Sequence, residues 1–190
     1  MTDEPVARIV DGLLTGQLAA ADLSARGLGA YVGKTTGHVY HHWGSLGGLL
    51  FAVSKEGFRR LGELLVSVFR EREDLADVAE AFVAFGLQHP ALYHVMFEYP
   101  YDWAELRARG LLDGPMPGLA LWRAVALDIG SEQARLLYAG LHGLVSLAKG
   151  GRANIGDSAQ PDGDVARKSA RALAELLVSK KTRAAPPRSR

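Results

Sequence analysis

The sequence predicts an all-α protein, and three observations predict it. Apolar residues recur at helical spacing along nearly the whole chain, no Val/Ile/Thr-rich alternating run bounded by turns occurs, and Ser, Thr, Gly and Pro fall where helices start and stop. The chain has 190 residues, 48% of them hydrophobic, which suffices for a small domain followed by a larger one with a sizeable core.

The first helix is written by Val6, Ile9, Val10, Leu13 and Leu14, an i, i+3, i+4, i+7, i+8 stripe. Pro5 suits its first turn, where a missing N–H has no partner to lose, and Gly16 suits its end. In "DLSARGLGAYV", Ser24 can accept the free backbone N–H groups of a short helix that buries Leu28, Tyr31 and Val32, with Gly33 to end it. Thr35 can cap a third helix that turns Val39 and Trp43 inward. Two short helices with a tight Gly-containing turn between them make a helix-turn-helix pattern. After Gly44, Ser45 can cap a long helix with Leu46, Leu49, Leu50, Val53, Leu61, Leu64, Leu65 and Val68 on its apolar side.

Beyond Arg72 another stripe runs through Leu75, Val78, Phe82 and Phe85 to His89, and Pro90 restarts the chain as "HPALYHVMF". A loop-prone stretch from Tyr99 to Asp102 leads into a short amphipathic piece ending at Gly110. "LDGPMPG" breaks the pattern, and helices follow from about Gly118 to Asp128, from a Ser131 cap to Lys149, and from Asp164 to Lys180. The expected organisation is a helix-turn-helix module over residues 1–45, a helical domain over 46–180 opened by a connecting helix over 46–70, and a basic tail over 181–190 that lacks the apolar content to fold.

Composition narrows the function classes. There is no cysteine, which removes disulfides and thiolate metal sites and fits a reducing cytoplasm. No apolar run approaches the roughly 18 residues of a membrane span, and "MTDEPVARIV" begins acidic where a signal peptide would be basic. Residues 1–60 carry six basic and five acidic side chains, so no strongly basic face is expected there. No nucleophile elbow, phosphate loop, paired-carboxylate set or complete metal motif occurs, which argues against an enzyme.

The most informative stretch is "GKTTGHVYHHWGS", Gly33 to Ser45. His38 and His42 share a helix face, but a zinc site needs three or four ligands and the nearest carboxylates in sequence, Asp22 and Glu56, belong to other elements. A plain amphipathic helix with solvated histidines is a second reading. A nucleic-acid interface explains more of the residues. Thr36 and His38 carry donors and acceptors for base edges, Tyr40, His41 and His42 can bond phosphates, and Gly37 allows close backbone approach. Lys34 and Thr35 stand at the helix start, which favours an anion.

"VYHHWGSLGGLL" resembles the end of the DNA-binding motif of TetR-family regulators, usually L-Y-x-H-F, a two-residue turn, then S-K-E-x-L. The resemblance, over roughly Val6 to Val53, places Ser24 and Arg26 at the start of the second helix and Thr35 to Trp43 on the recognition helix. Farther on, "AFVAFGLQHPALYHVMFE" and "YAGLHGLVSLAKGG" resemble the WHG-type ligand domain of the same family, with Tyr138 in the tryptophan's place and His142–Gly143 retained. This likeness implies a small-molecule pocket, for which Phe82, Phe85, His89, Tyr93, Phe97, Trp103, Trp122, Tyr138 and His142 are the candidates. Each of these residues would also suit an ordinary core.

The family resemblance implies a homodimeric repressor that binds a double-stranded DNA operator and responds to a small-molecule effector, with no metal, no cofactor and no membrane partner. Two features depart from the pattern. Leu46 stands where the family usually has a phosphate-binding lysine, and seven glycines fall between Ser24 and Leu50. They leave an alternative open: a dimeric small-molecule-binding protein of the same fold with weak or lost DNA binding.

Overall fold

The computed structural model describes residues 3–155 and 159–184, apart from the side chains of Leu121 and of residues 179–184. Ten α-helices follow one another, and no strand occurs among the described residues: α1 (Glu4–Thr15), α2 (Ala25–Tyr31), α3 (Thr36–Trp43), α4 (Leu46–Arg72), α5 (Leu75–Gln88), α6 (Pro90–Tyr93), α7 (Trp103–Ala108), α8 (Pro117–Ile129), α9 (Ser131–Lys149) and α10 (Asp162–Ala184). A 3₁₀ turn at Ala20–Asp22 and a π turn at His94–Glu98 complete the set. None of the helices is long and apolar enough to cross a membrane, among the described residues. The chain groups into two compact units: residues 1–60 with 89–118, and residues 61–88 with 119–190. α4 is one uninterrupted helix that contributes to both.

In the first unit, α1 buries Val6, Ile9, Val10 and Leu13, and Gly16 ends it in the left-handed conformation at φ 74°. The Tyr31 ring of α2 lies over Gly12, where a Cβ would stand 2.6 Å from its hydroxyl oxygen, so glycine is what lets α2 close on α1. The α4 half of this unit is pinned by Glu56, a carboxylate only 5% exposed. Arg59 reaches it at 2.5 Å and Arg60 at 2.8 Å, and Arg60 also meets Asp11 of α1 at 3.2 Å. The hydrogen bonds from Arg59 and Arg60 hold the Glu56 carboxyl down at about 2, against burial, which pushes it up. Around the π turn, Met96 packs over Gly57, and Phe97 meets Phe58 with ring centroids 4.9 Å apart. The Tyr101 hydroxyl lies within hydrogen-bond distance of the carbonyl oxygens of Leu50 at 3.0 Å and Val95 at 2.7 Å, and burial pushes its pKa well up.

The second unit is built on α5, α9 and α10. Ala166, Ala170 and Ala174 are fully buried on α10, and their small side chains allow the close helix packing that larger residues would prevent. Arg171 ties this helix to α5 through ion pairs with Asp77 and Glu80. Gly140 of α9 lies directly under the Leu173 side chain of α10.

Four boundaries or burials differ from the sequence reading. Gly130, at φ 98°, takes the cap position before α9, so Ser131 is the first helical residue and makes no side-chain cap. α10 begins at Asp162, where an acidic first turn favours helix, and runs to Ala184, four residues into the expected tail. The remainder of that tail, 185–190, lies outside the described residues. Leu64 is exposed although Leu61 and Leu65, close to it on the helix, are buried, so it stands at the edge of the inward stripe of α4.

Candidate functional site

Two regions hold the residues singled out by sequence. In the first, α2 and α3 are separated by a four-residue turn, Val32 to Thr35. Ser24 caps α2 by accepting from the Gly27 N–H at 3.0 Å, and Thr35 caps α3 by accepting from the His38 N–H at 3.1 Å. Each such cap contributes about 1 kcal/mol by satisfying an orphan donor. Val39 and Trp43 are buried. Arg26, Lys34, Thr36, Gly37, Tyr40, His41 and His42 are exposed, and His38 is half-buried. One helix thus keeps its two large apolar residues inward while its hydrogen-bonding side chains face out.

The histidines are organised in a way that spacing alone did not reveal. His38 and His42 do share a face, but their rings stack in parallel with centroids 5.9 Å apart, and both set an edge against Trp43. His42 Nε2 lies 3.1 Å from Asp3 Oδ2. Asp3 is the residue before α1, yet its carboxylate makes no cap there and goes to α3 instead. Among the described residues no three His, Asp or Glu side chains converge as metal ligands would.

Most of the glycines in this region have a visible steric reason. A Cβ at Gly27 would come within 2.6 Å of the Asp22 carbonyl oxygen, and one at Gly29 within 2.9 Å of the Lys34 carbonyl oxygen. Gly33 and Gly44 have φ of 72° and 77°, which side chains resist, and a Cβ at Gly48 would collide with the Trp43 carbonyl. Gly37 and Gly47 are different: a Cβ there meets nothing closer than 3.8 and 3.5 Å. Five of the seven therefore have a steric or conformational reason to be glycine.

The aromatic candidates fall into two groups, one in each unit. In the second unit Phe82 and Phe85 are buried on α5. Phe82 meets Trp122 of α8 at 5.8 Å, Trp122 meets Tyr138 of α9 at 5.0 Å, and Tyr138 stacks on His142 at 6.5 Å. Burial raises the Tyr138 pKa. Beside this chain of rings is a cavity of about 10 Å³ lined by apolar side chains, Leu65, Val78, Phe82, Trp122, Leu137 and Leu141 among them. That is room for about one water. The Trp122 indole N–H is buried without a hydrogen-bond acceptor among the described residues, an uncommon state for a polar group in an apolar wall.

In the first unit Tyr93 is fully buried and stacks on Phe97 at 4.4 Å. Trp103, at 53% exposure, sets its ring near Phe51 at 6.0 Å and Tyr101 at 5.7 Å. His89 follows α5 and bonds to the Leu14 backbone at the end of α1, a region with surplus carbonyls, while desolvation lowers its pKa. Sequence reasoning missed Asp3, Phe51, Tyr101 and Arg109 at these regions. Each acts across a long stretch of chain, and no local pattern marks it.

These features define an all-helical chain, with N-terminal helices followed by a helical C-terminal domain. The family described as "Tetracyclin repressor-like, C-terminal domain" matches residues 75–177, more than half of the chain, beginning at the first residue of α5. The chain therefore belongs to the TetR family of transcriptional regulators. No curated protein matches it.

Proposed function

We propose that the protein is a cytoplasmic, homodimeric repressor that binds operator DNA through α2, its turn and α3, and releases it when a small molecule occupies the region of α5, α8 and α9. The observation that carries this reading is the build of α3. It is capped by Thr35, anchored by Val39 and Trp43, and presents Thr36, Tyr40, His41 and His42 outward, as a helix lying in a major groove must. Ser24, Arg26 and Lys34 flank it, where phosphates would lie, and Thr36 with His38 would face base edges. Gly37 has no packing reason to be glycine, which fits a close approach by the DNA backbone.

The effector reading rests on Phe82, Trp122, Tyr138 and His142, the rings that the second unit gathers, and on Phe85, buried on the same helix as Phe82. An apolar wall holding a buried indole N–H with no acceptor among the described residues is the kind of arrangement that small-molecule sites use to orient a ligand. Tyr138, His142 and Gly143 keep the resemblance to the WHG-type ligand domain. An effector acts only if it binds the DNA-competent and released states with different affinity. The reading gives the chain no catalytic role.

The direct test is binding of the full chain to its own upstream region over a salt series. Sequence-specific binding that weakens steeply with salt supports the proposal, and its absence even at low salt overturns it. The second reading, a small-molecule-binding dimer without operator binding, draws on the scarcity of cations between Ser24 and Leu50, where only Arg26 and Lys34 occur. Leu46→Lys separates the two: it creates DNA binding from nothing if the second reading is right, and merely strengthens existing binding if the first is.

A further inference from the structure

Affinity for duplex DNA depends on how many phosphates a protein neutralises, and the α2 to α3 segment brings few cations to that task. The first turn of α4, Leu46 to Leu49, adds none. The first unit delivers one from elsewhere. Arg109, the residue after α7, lays its guanidinium against Gly44, the residue that follows α3. A Cβ at Gly44 would collide with Nη1, and Nη2 reaches the Gly44 carbonyl oxygen at 3.5 Å. Nε donates to Glu105 Oε1 at 2.9 Å, one helical turn earlier. The Arg109 side chain nevertheless stays 44% exposed.

We infer that Arg109 is a phosphate-binding residue of the DNA interface, supplied by α7 to the C-terminal end of the recognition helix. A guanidinium offers five donors in a rigid planar fork, so the bonds to Glu105 and Gly44 use one edge and leave another for a phosphate oxygen. Glu105 holds the fork in place before DNA arrives, which reduces the side-chain entropy lost on binding. The last turn of α3 contains His41 and His42, so Arg109 extends the polar face of that helix past its own end. Because Gly44 both reverses the chain at φ 77° and lies under the guanidinium, one glycine serves the turn and the cation together.

This inference rests on the DNA-binding reading, and its test keeps the two apart. The probe is the duplex that the wild-type full chain enriches most strongly from a randomised pool, titrated by fluorescence anisotropy over a potassium chloride series. Arg109→Ala is expected to lower the slope of log K against log salt by about 0.9 per subunit. At low salt it weakens binding by roughly five- to tenfold, while Arg107→Ala, two residues earlier in the last turn of α7, leaves both unchanged. An unchanged slope for Arg109→Ala, or an equal fall for Arg107→Ala, overturns the inference while the DNA-binding reading stands. If no duplex is enriched, both fall. Arg109→Gln, which keeps a planar amide for the Gly44 carbonyl but not the charge, repeats the measurement should the alanine variant unfold at a lower temperature.

Discussion

The α2 to α3 segment and the ring cluster of α5, α8 and α9 are built by opposite means. In the first, short-range devices set the backbone: Ser24 and Thr35 caps, glycines at Gly33 and Gly44, and carbonyls crowded against Gly29 and Gly48. In the second, little is fixed locally, and the rings of Phe82, Trp122, Tyr138 and His142 meet only because three helices pack. The first arrangement leaves the backbone little freedom, which is what the proposed docking into a regular duplex would use. The second holds a buried indole N–H with no acceptor among the described residues, beside a small apolar cavity.

If that contrast is right, crowding the first region should cost far more than altering the second. Gly48→Val places a side chain against the fixed Trp43 carbonyl, and urea unfolding should show a loss of about 3 kcal/mol. A loss below 1 kcal/mol would mean that the α3 to α4 turn can relax after all. Next in size is Glu56→Gln, which removes the charge that gathers Arg59 and Arg60 and should cost about 2 kcal/mol at neutral pH. Its folded pKa lies below the ordinary carboxylate value, so the contribution is fully present above about 4.5 and disappears as pH falls towards about 2. Wild-type and variant stabilities should therefore converge across that window, and parallel curves would sink the assignment.

Trp122→Phe probes the second region. It deletes a buried N–H that finds no acceptor among the described residues, so stability should stay within about 1 kcal/mol of wild type, in either direction. A drop of several kcal/mol would show that the ring cluster is as rigid as the turn. The smallest effect is expected at Gly37→Ala. With open space around the new methyl and a helical backbone, the melting temperature should rise by the equivalent of about 0.5–1 kcal/mol. On the proposed function the same variant binds DNA less well. A stabilised protein with unchanged DNA affinity would remove Gly37 from the interface.

The legibility of the two regions in the sequence follows the same division. Ser24, Thr35 and Ser45 announce their caps because a helix start is a matter of three or four residues, and the inward turn of Val39 and Trp43 follows from helical period alone. The contacts that the sequence concealed are long-range: His42 to Asp3 spans 39 positions, Tyr101 to Leu50 spans 51, and Arg109 to Gly44 spans 65. The aromatic candidates were found as residue types, but periodicity says only that Tyr93 and Phe82 are each inward, not that they belong to different compact units. Gly48 is a related case. Helix propensity scores it as a cost, whereas its packing against Trp43 makes it the residue that fits.

The Asp3 to His42 contact has a practical consequence for anyone who handles this protein. An affinity tag or protease scar fused ahead of Met1 ends three residues before Asp3, whose carboxylate meets His42 of α3. Two preparations identical from Asp3 onward then differ beside the helix proposed to face DNA, and a test of that proposal should compare only chains that start in the same way.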